Sequence, residues 1–88
     1  MWGSAEEIER RNRIKLTVAA YAYEFVNTSI ISDANFDQLA MQINLQMDTG
    51  NAVLDTFFRT EFQPDTGQWI HKHPELEKVK QLYQRFYK

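Results

Sequence analysis

Residues 21–39 read Tyr-Ala-Tyr-Glu-Phe-Val-Asn-Thr-Ser-Ile-Ile-Ser-Asp-Ala-Asn-Phe-Asp-Gln-Leu, and this stretch decides the fold that the chain predicts. Asn27-Thr28-Ser29 are residues that hydrogen-bond their own backbone and so end a helix. Ser32 is a favoured N-cap, and Asp33 suits the first turn of the helix that follows. The stretch therefore predicts one helix that ends, a short connection and a second helix that begins. We call residues 21–39 the elbow.

Apolar residues spaced by three and four positions predict four helices along the chain and no strands. Turns containing glycine or proline separate them, at residues 48–51 and 63–68. The predicted helices cover residues 5–27, 33–47 and 52–62, and the fourth opens at His73-Pro74 with Pro74 as its first helical residue. We expect an all-α, compact four-helix domain built around the helical hairpin of the elbow. It would span residues 1–88, with residues 1–4 frayed.

The first predicted helix has an apolar face and a basic cluster. Ile14, Val18, Tyr21 and Phe25 follow the spacing of one helical face, which we expect to be buried. The basic residues between positions 10 and 15 follow glutamates, some at i,i+4 spacing. This arrangement favours a solvated helix face over a phosphate-binding strip.

The composition narrows the class of function. The chain has 88 residues, no cysteine and a net charge of -2. Without cysteine it has no disulfide, thiolate metal site or cysteine nucleophile. The weak negative charge argues against direct nucleic-acid binding, which needs clustered cations. No apolar run is long enough to cross a bilayer, and the first residues lack the apolar core of a signal peptide. We therefore expect a soluble, cytoplasmic protein without a membrane partner.

Polar and aromatic residues converge on the elbow. If its two helices pack side by side, Tyr23, Glu24, Asp33, Phe36 and Asp37 line one small concave site. Three carboxylates and two rings favour a flat, cationic ligand, because rings stack on it and acids balance its charge. The alternative is structural: the two aspartates would serve only the helix N-terminus, and the phenylalanine would belong to the core.

Nine elbow residues form an ungapped pattern: Tyr21, Tyr23, Ile31, Ser32, Asp33, Ala34, Phe36, Asp37 and Leu39. The pattern resembles the N-terminal domain Ia of NAD-dependent DNA ligases, which has a Tyr-x-Tyr-His segment followed by Ile-(Ser/Pro)-Asp-Ala-x-Tyr-Asp-x-Leu. His73-Pro74-Glu75-Leu76 also resembles the His-Pro-Glu-Leu after the second helix of that domain. As a whole the chain is similar to short, stand-alone ligase-related proteins of phages and prophages.

The resemblance implies a ligand. Domain Ia holds the nicotinamide mononucleotide half of NAD, and its binding residues carry over as Tyr23, Asp33 and Asp37. Glu24 stands where the ligases have histidine, and Phe36 where they have tyrosine. The Lys-x-Asp-Gly nucleophile motif and the zinc-binding cysteines of a ligase are absent from the sequence. The resemblance thus implies a binding module for NAD or nicotinamide mononucleotide that is not an enzyme.

Two other functions stay open. The chain could be a protein-interaction accessory that keeps the fold without binding nucleotide, with a partner in replication or host defence. Aromatic residues support this, because Trp2, Trp69, Tyr83 and Tyr87 exceed what a small core needs. Trp69 has a second interpretation, as a loop residue that plugs a gap in the core. A free-standing enzyme is disfavoured, since no nucleophile or acid–base pair is evident.

The pair His71-x-His73 is the remaining candidate site. Alternate histidines can bind a metal ion, but no third ligand stands near them in the sequence. We predict a turn or surface role for both, and no metal.

Overall fold

The first helix packs against the second and fourth helices and against the 3₁₀ segment in the computed structural model, which describes residues 4–64 and 66–87. The α-helices are α1 (Ala5–Tyr21), α2 (Asp33–Gln42), α3 (Ala52–Glu61) and α4 (Leu76–Tyr87). Helix α1 continues into a π-helical turn at Ala22–Val26, and a 3₁₀ segment, Gln68–Lys72, precedes α4. Within the described ranges there is no strand, so the predicted all-α class is confirmed. The radius of gyration of 12.3 Å is that of a compact chain.

Side-chain caps start three of the helices. Ser4, Ser32 and Asn51 each accept a hydrogen bond from the backbone N–H three residues further along, at 3.1 to 3.2 Å. The predicted cap at Ser32 is confirmed. The expectation of a frayed start is wrong at Ser4, which caps α1, and residues 1–3 lie outside the described part of the chain. A cap of this kind stabilises a helix by about 1 kcal/mol.

Helix α2 ends five residues earlier than predicted. It stops at Gln42, and Ile43 is extended rather than helical. The next residue explains the stop, because the backbone N–H of Asn44 donates to Glu9 at 3.0 Å instead of continuing the helix. A contact with α1 therefore overrides the helical pattern in this segment.

Helix α4 begins two residues later than predicted. Pro74 lies in a turn before the helix, and helical hydrogen bonding starts at the carbonyl of Glu75, which accepts from Lys78 and Val79. His73 supports this start, since its Nδ1 accepts from the backbone N–H of Glu75 at 2.9 Å. His73 therefore lies in the turn that leads into α4, as predicted.

Arg13 is buried, contrary to the expectation that the whole basic cluster is solvated. Its Nε donates to Glu9 at 2.7 Å, and its Nη1 donates to Asp55 at 2.8 Å. Its Nη2 donates to the carbonyls of Asn44 and Met47, at 2.6 and 3.2 Å. One guanidinium therefore joins α1, α3 and the turn between α2 and α3. The other basic residues of the cluster are exposed, as predicted.

The predicted apolar face of α1 is buried in part, since Val18 is 5% exposed and Tyr21 packs against the core. Leu16 and Ala20 are fully buried, while Ile14 and Phe25 are 46% and 45% exposed. Leu16 and Ala20 follow Arg13 by three and seven positions, so the buried face of the helix also includes the guanidinium. The core cluster consists of Leu16, Ala20, Ala40, Phe57, Phe58, Trp69, Ile70 and Val79.

Trp69 is a core residue. It is buried and packs against the rings of Phe57, Phe58 and Phe62 at centroid distances of 5.2 to 6.1 Å. Its prediction as a plug of the core is confirmed, and its prediction as an exposed interface anchor is wrong. Among the other proposed anchors, Trp2 and the side chain of Tyr87 lie outside the described residues. Over residues 4–64 and 66–87, no helix combines the length and apolar character needed to cross a bilayer.

Candidate functional site

A cavity of about 400 Å³ lies beside the elbow, and we call it the elbow cavity. The end of α1 with its π-helical turn, the connection, the start of α2 and the loop before the 3₁₀ segment form its walls. Its volume falls in the usual range of small-molecule sites. All five side chains predicted for the site line this cavity. The complete lining is Ala19, Tyr23, Glu24, Ser29, Ile30, Ile31, Asp33, Phe36, Asp37, Thr66, Gly67 and Gln68.

The π-helical turn positions Tyr23 and Glu24. One extra residue in this turn shifts the side chains after Tyr21 around the helix axis, and such turns are frequent at functional sites. Asn27 then ends the helix in the left-handed conformation, with φ of 60°. The backbone N–H of Thr28 returns to the carbonyl of Ala22 at 3.0 Å, which closes the end of the helix. The chain consequently leaves α1 along the rim of the cavity.

Glu24 is held from outside the elbow by His71. The distance from Glu24 Oε1 to His71 Nε2 is 2.9 Å, and the ring of His71 lies 4.6 Å from that of Phe25. The contact joins the π-helical turn to the 3₁₀ segment, which lies 47 residues further along the chain. The carboxylate that replaces the histidine of the ligase pattern is therefore oriented by a histidine from elsewhere.

The start of α2 supplies the second wall. Asp33 and Asp37 are exposed in the first two turns, and Phe36 is half-buried against the core. The aspartates also suit the positive end of the helix, so their structural role is compatible with their place in the lining. Ile31 and Phe36 both line the cavity.

The charge of the lining has one sign. Three carboxylates line the elbow cavity, from Glu24, Asp33 and Asp37, and its described lining includes no lysine or arginine. The site can accept hydrogen bonds and attract a cation, and Tyr23 and Phe36 can contact a flat ring. A phosphate group inside it would meet like charge without a compensating cation.

The third wall was not predicted from the sequence. Residues 66–68 were expected to form only a turn, yet all of them line the cavity. Gly67 lies beside α1 and the elbow, since a Cβ atom there would be in van der Waals contact with Ala20 at 3.6 Å and Phe36 at 3.7 Å. No local pattern indicates this wall, because it depends on packing between segments about 30 to 45 residues apart in the sequence. His71 was singled out, but as a disfavoured metal ligand and not as the partner of Glu24.

His71 and His73 have separate environments. His71 contacts Glu24, whereas His73 is buried with its ring 4.9 Å from that of Phe57. In the part of the chain that the structure describes, no three histidine, aspartate or glutamate residues come together as a metal site.

No family model, no curated protein and no solved structure matches this chain. The likeness to ligase domain Ia accordingly rests on the residues of the sequence alone.

Proposed function

We propose that the chain is a non-catalytic binding module whose elbow cavity takes the nicotinamide ring of NAD or nicotinamide mononucleotide. One observation supports this most directly. Tyr23, Glu24, Asp33, Phe36 and Asp37 come from two segments of the elbow and line a single cavity. The proposal requires these two segments to lie side by side. If α1 and α2 had packed apart, the five side chains would not share a cavity.

The chemistry of the lining supports the oxidised nicotinamide ring in particular. That ring is flat and carries a positive charge. Tyr23 on the π-helical turn and Phe36 on α2 offer aromatic faces from two walls, and a cation over such a ring gains about 0.5 to 2 kcal/mol. The carboxylates of Asp33 and Asp37 add Coulombic attraction at the same opening.

The phosphate of the nucleotide then lies outside the cavity. The described lining holds three carboxylates and no lysine or arginine, so a phosphate is favoured only where it points into solvent. Nicotinamide riboside, which keeps the cationic ring and lacks the phosphate, should bind more tightly than nicotinamide mononucleotide. This order of affinities would distinguish the elbow cavity from a site that binds its ligand through the phosphate.

Titration of backbone NMR signals tests the proposal. We expect NAD, nicotinamide mononucleotide and nicotinamide riboside to shift signals around Tyr23, Asp33 and Asp37. NADH, whose reduced ring is uncharged, should shift them much less. Asp37→Asn should weaken riboside binding by about fivefold, and Glu77→Gln, which removes an exposed carboxylate outside the lining, should not. Unmoved elbow signals at millimolar nucleotide and riboside would refute nicotinamide binding.

A second candidate function is that of a protein-interaction accessory for replication or host defence. It is favoured by a run of exposed apolar side chains at the end of the π-helical turn, Tyr23, Phe25 and Val26. Exposed apolar groups that lie together favour a docking surface. Affinity capture with Val26→Lys addresses this candidate, and Val53→Lys is the control because Val53 is exposed on α3. A partner retained equally by both variants would rule out the elbow as its docking surface.

A further inference from the structure

A second cavity, of about 280 Å³, lies among α1, α3 and α4. We call it the aliphatic slot, because its apolar walls are formed by Ile14, Val18, Leu54, Phe58, Val79 and Leu82. It shares no lining residue with the elbow cavity. A ligand that binds in the slot would therefore be different from the nicotinamide nucleotide proposed for the elbow cavity.

The walls of the slot favour an aliphatic body. Val18 and Val79 are almost completely buried, whereas Ile14 at the slot is 46% exposed. A ligand that covers apolar surface left in contact with water is stabilised in proportion to the area it covers. An unbranched hydrocarbon chain would cover this surface without a polar group of its own inside the slot.

His73 provides a hydrogen-bond donor at the slot. Its Nδ1 accepts from the backbone N–H of Glu75 at 2.9 Å, so the proton of the neutral ring sits on Nε2. Burial lowers the pKa of His73, partly opposed by the charge of Glu75, and this favours the neutral ring. Among the described residues, no acceptor bonds to Nε2.

Two cations at the slot also keep unused donors. Arg10 donates from Nε and Nη2 to the carbonyl of Thr49 and to Glu6, and its Nη1 meets no acceptor in the described part of the chain. Lys78 lies 3.3 Å from Glu75 through one of its three donors, and its side chain is 75% exposed. A carboxylate accepts several such donors at once.

The charges nearest the slot are otherwise matched. Arg13 lines it but is occupied by Glu9 and Asp55 inside the protein. Glu75 supplies the one carboxylate of the described lining, and it is paired with Lys78. The hydrogen-bonding groups that stay unused at the opening of the slot are therefore mainly donors.

We propose that the aliphatic slot binds a small aliphatic carboxylate. Its hydrocarbon chain lies against Ile14 and Val79, and its carboxylate accepts from Arg10, His73 and Lys78. The two cavities then have opposite preferences, with a flat cation at the elbow and an aliphatic anion at the slot.

Octanoate is the probe for this proposal, followed by backbone and methyl NMR signals of the full chain. We expect saturable shifts at Ile14, Val18 and Val79, and much weaker binding of octylamine, which has the opposite charge. Lys78→Glu should weaken octanoate binding by about fivefold, while Lys80→Glu, the same change outside the lining of the slot, should leave it unchanged. Both lysines are exposed, so both variants should fold.

Three results would overturn the proposal. The first is the absence of shifts at the slot with millimolar octanoate, and the second is equal binding of octanoate and octylamine. The third is an equal effect of Lys78→Glu and Lys80→Glu. A peptide that ends in leucine serves as a further probe. If it binds the slot and octanoate does not, the slot takes a protein C-terminus and not a free carboxylate. Ile14→Trp, which fills the half-exposed mouth, should reduce octanoate binding without changing elbow signals in the presence of nicotinamide riboside.

Discussion

Arg13 Nη1 and Asp55 Oδ1 lie 2.8 Å apart inside the protein, although 42 residues separate them in the chain. Each side chain is only 5% exposed. The guanidinium also lies over the ring of Phe58, with its carbon 5.1 Å from the ring centroid. Because two carboxylates and two backbone carbonyls accept from this one cation, it joins α3 and the preceding turn to α1.

Removing this cation should destabilise the fold strongly. Arg13→Met leaves the carboxylates of Glu9 and Asp55 buried without their partner, and we expect a loss of about 3 to 5 kcal/mol in the free energy of unfolding. Urea denaturation followed by circular dichroism measures it. Arg11→Met is the control, since Arg11 is exposed and should change stability by less than about 0.5 kcal/mol. Equal midpoints for the two variants would show that the buried network contributes little.

Asp55 should make the protein sensitive to acid. Burial by itself raises the pKa of a carboxyl group, but hydrogen bonds from Thr49 and the charge of Arg13 outweigh burial here and lower the pKa of Asp55. An acid with a lowered pKa in the folded state stabilises the fold above its unfolded pKa of about 3.9, and this stability is lost as pH falls through the folded pKa.

Urea midpoints between pH 7 and pH 2.5 test this expectation. Asp55→Asn should be less stable at pH 7 and should lose less stability below about pH 4 than the unmodified protein. Asp48→Asn, which removes an exposed partner of Arg59, should keep the acid-dependent loss. If the Asp55→Asn curve runs parallel to that of the unmodified protein, the acid sensitivity lies in other groups.

His73 should add a second pH dependence at higher pH. Burial lowers the pKa of His73, and the nearby charge of Glu75 opposes this only in part. A base with a lowered pKa contributes stability above its unfolded pKa, about 6.5, and loses it as pH falls through the folded value.

Stability between pH 7.5 and pH 5 checks this sign. We expect a decrease in the unmodified protein and a smaller decrease in His73→Asn, whose side-chain oxygen can still accept from the N–H of Glu75. His71→Gln is the comparison, because His71 is exposed and contacts Glu24 instead. If the decrease in stability with falling pH is unchanged in His73→Asn but smaller in His71→Gln, the pH dependence comes from His71 and not from His73.

Asn27 should tolerate glycine better than alanine. Its φ of 60° lies in the left-handed region, where a Cβ atom clashes unless the residue is glycine or a short polar side chain such as asparagine. Asn27→Ala should therefore be less stable than Asn27→Gly by about 1 kcal/mol. Thermal unfolding of the two variants measures the difference. Equal stability would mean that the end of the π-helical turn relaxes to another conformation.

Local sequence determined much of the architecture. Ser32 and Asn51 cap their helices, Gly50 takes a positive φ of 87°, and residues 52–61 form α3 within one residue of its prediction. These features follow from the sequence because a cap or a turn is satisfied by hydrogen bonds within a few residues. The identification of the elbow with ligase domain Ia also rests on sequence, and it stays a prediction.

Tertiary structure decided which side chains are buried and which side chains from distant segments lie in contact. The sequence placed Arg13 among solvated cations, but acceptors 31 to 42 residues away draw it inside. The sequence predicted that the five elbow residues lie together, whereas it gave no signal for the wall at residues 66–68 or for the contact of His71 with Glu24. The spacing of apolar residues indicates only which face of a single helix is apolar. Whether a charged side chain can be buried depends on hydrogen-bond partners that are distant in the sequence and that only the folded chain brings close.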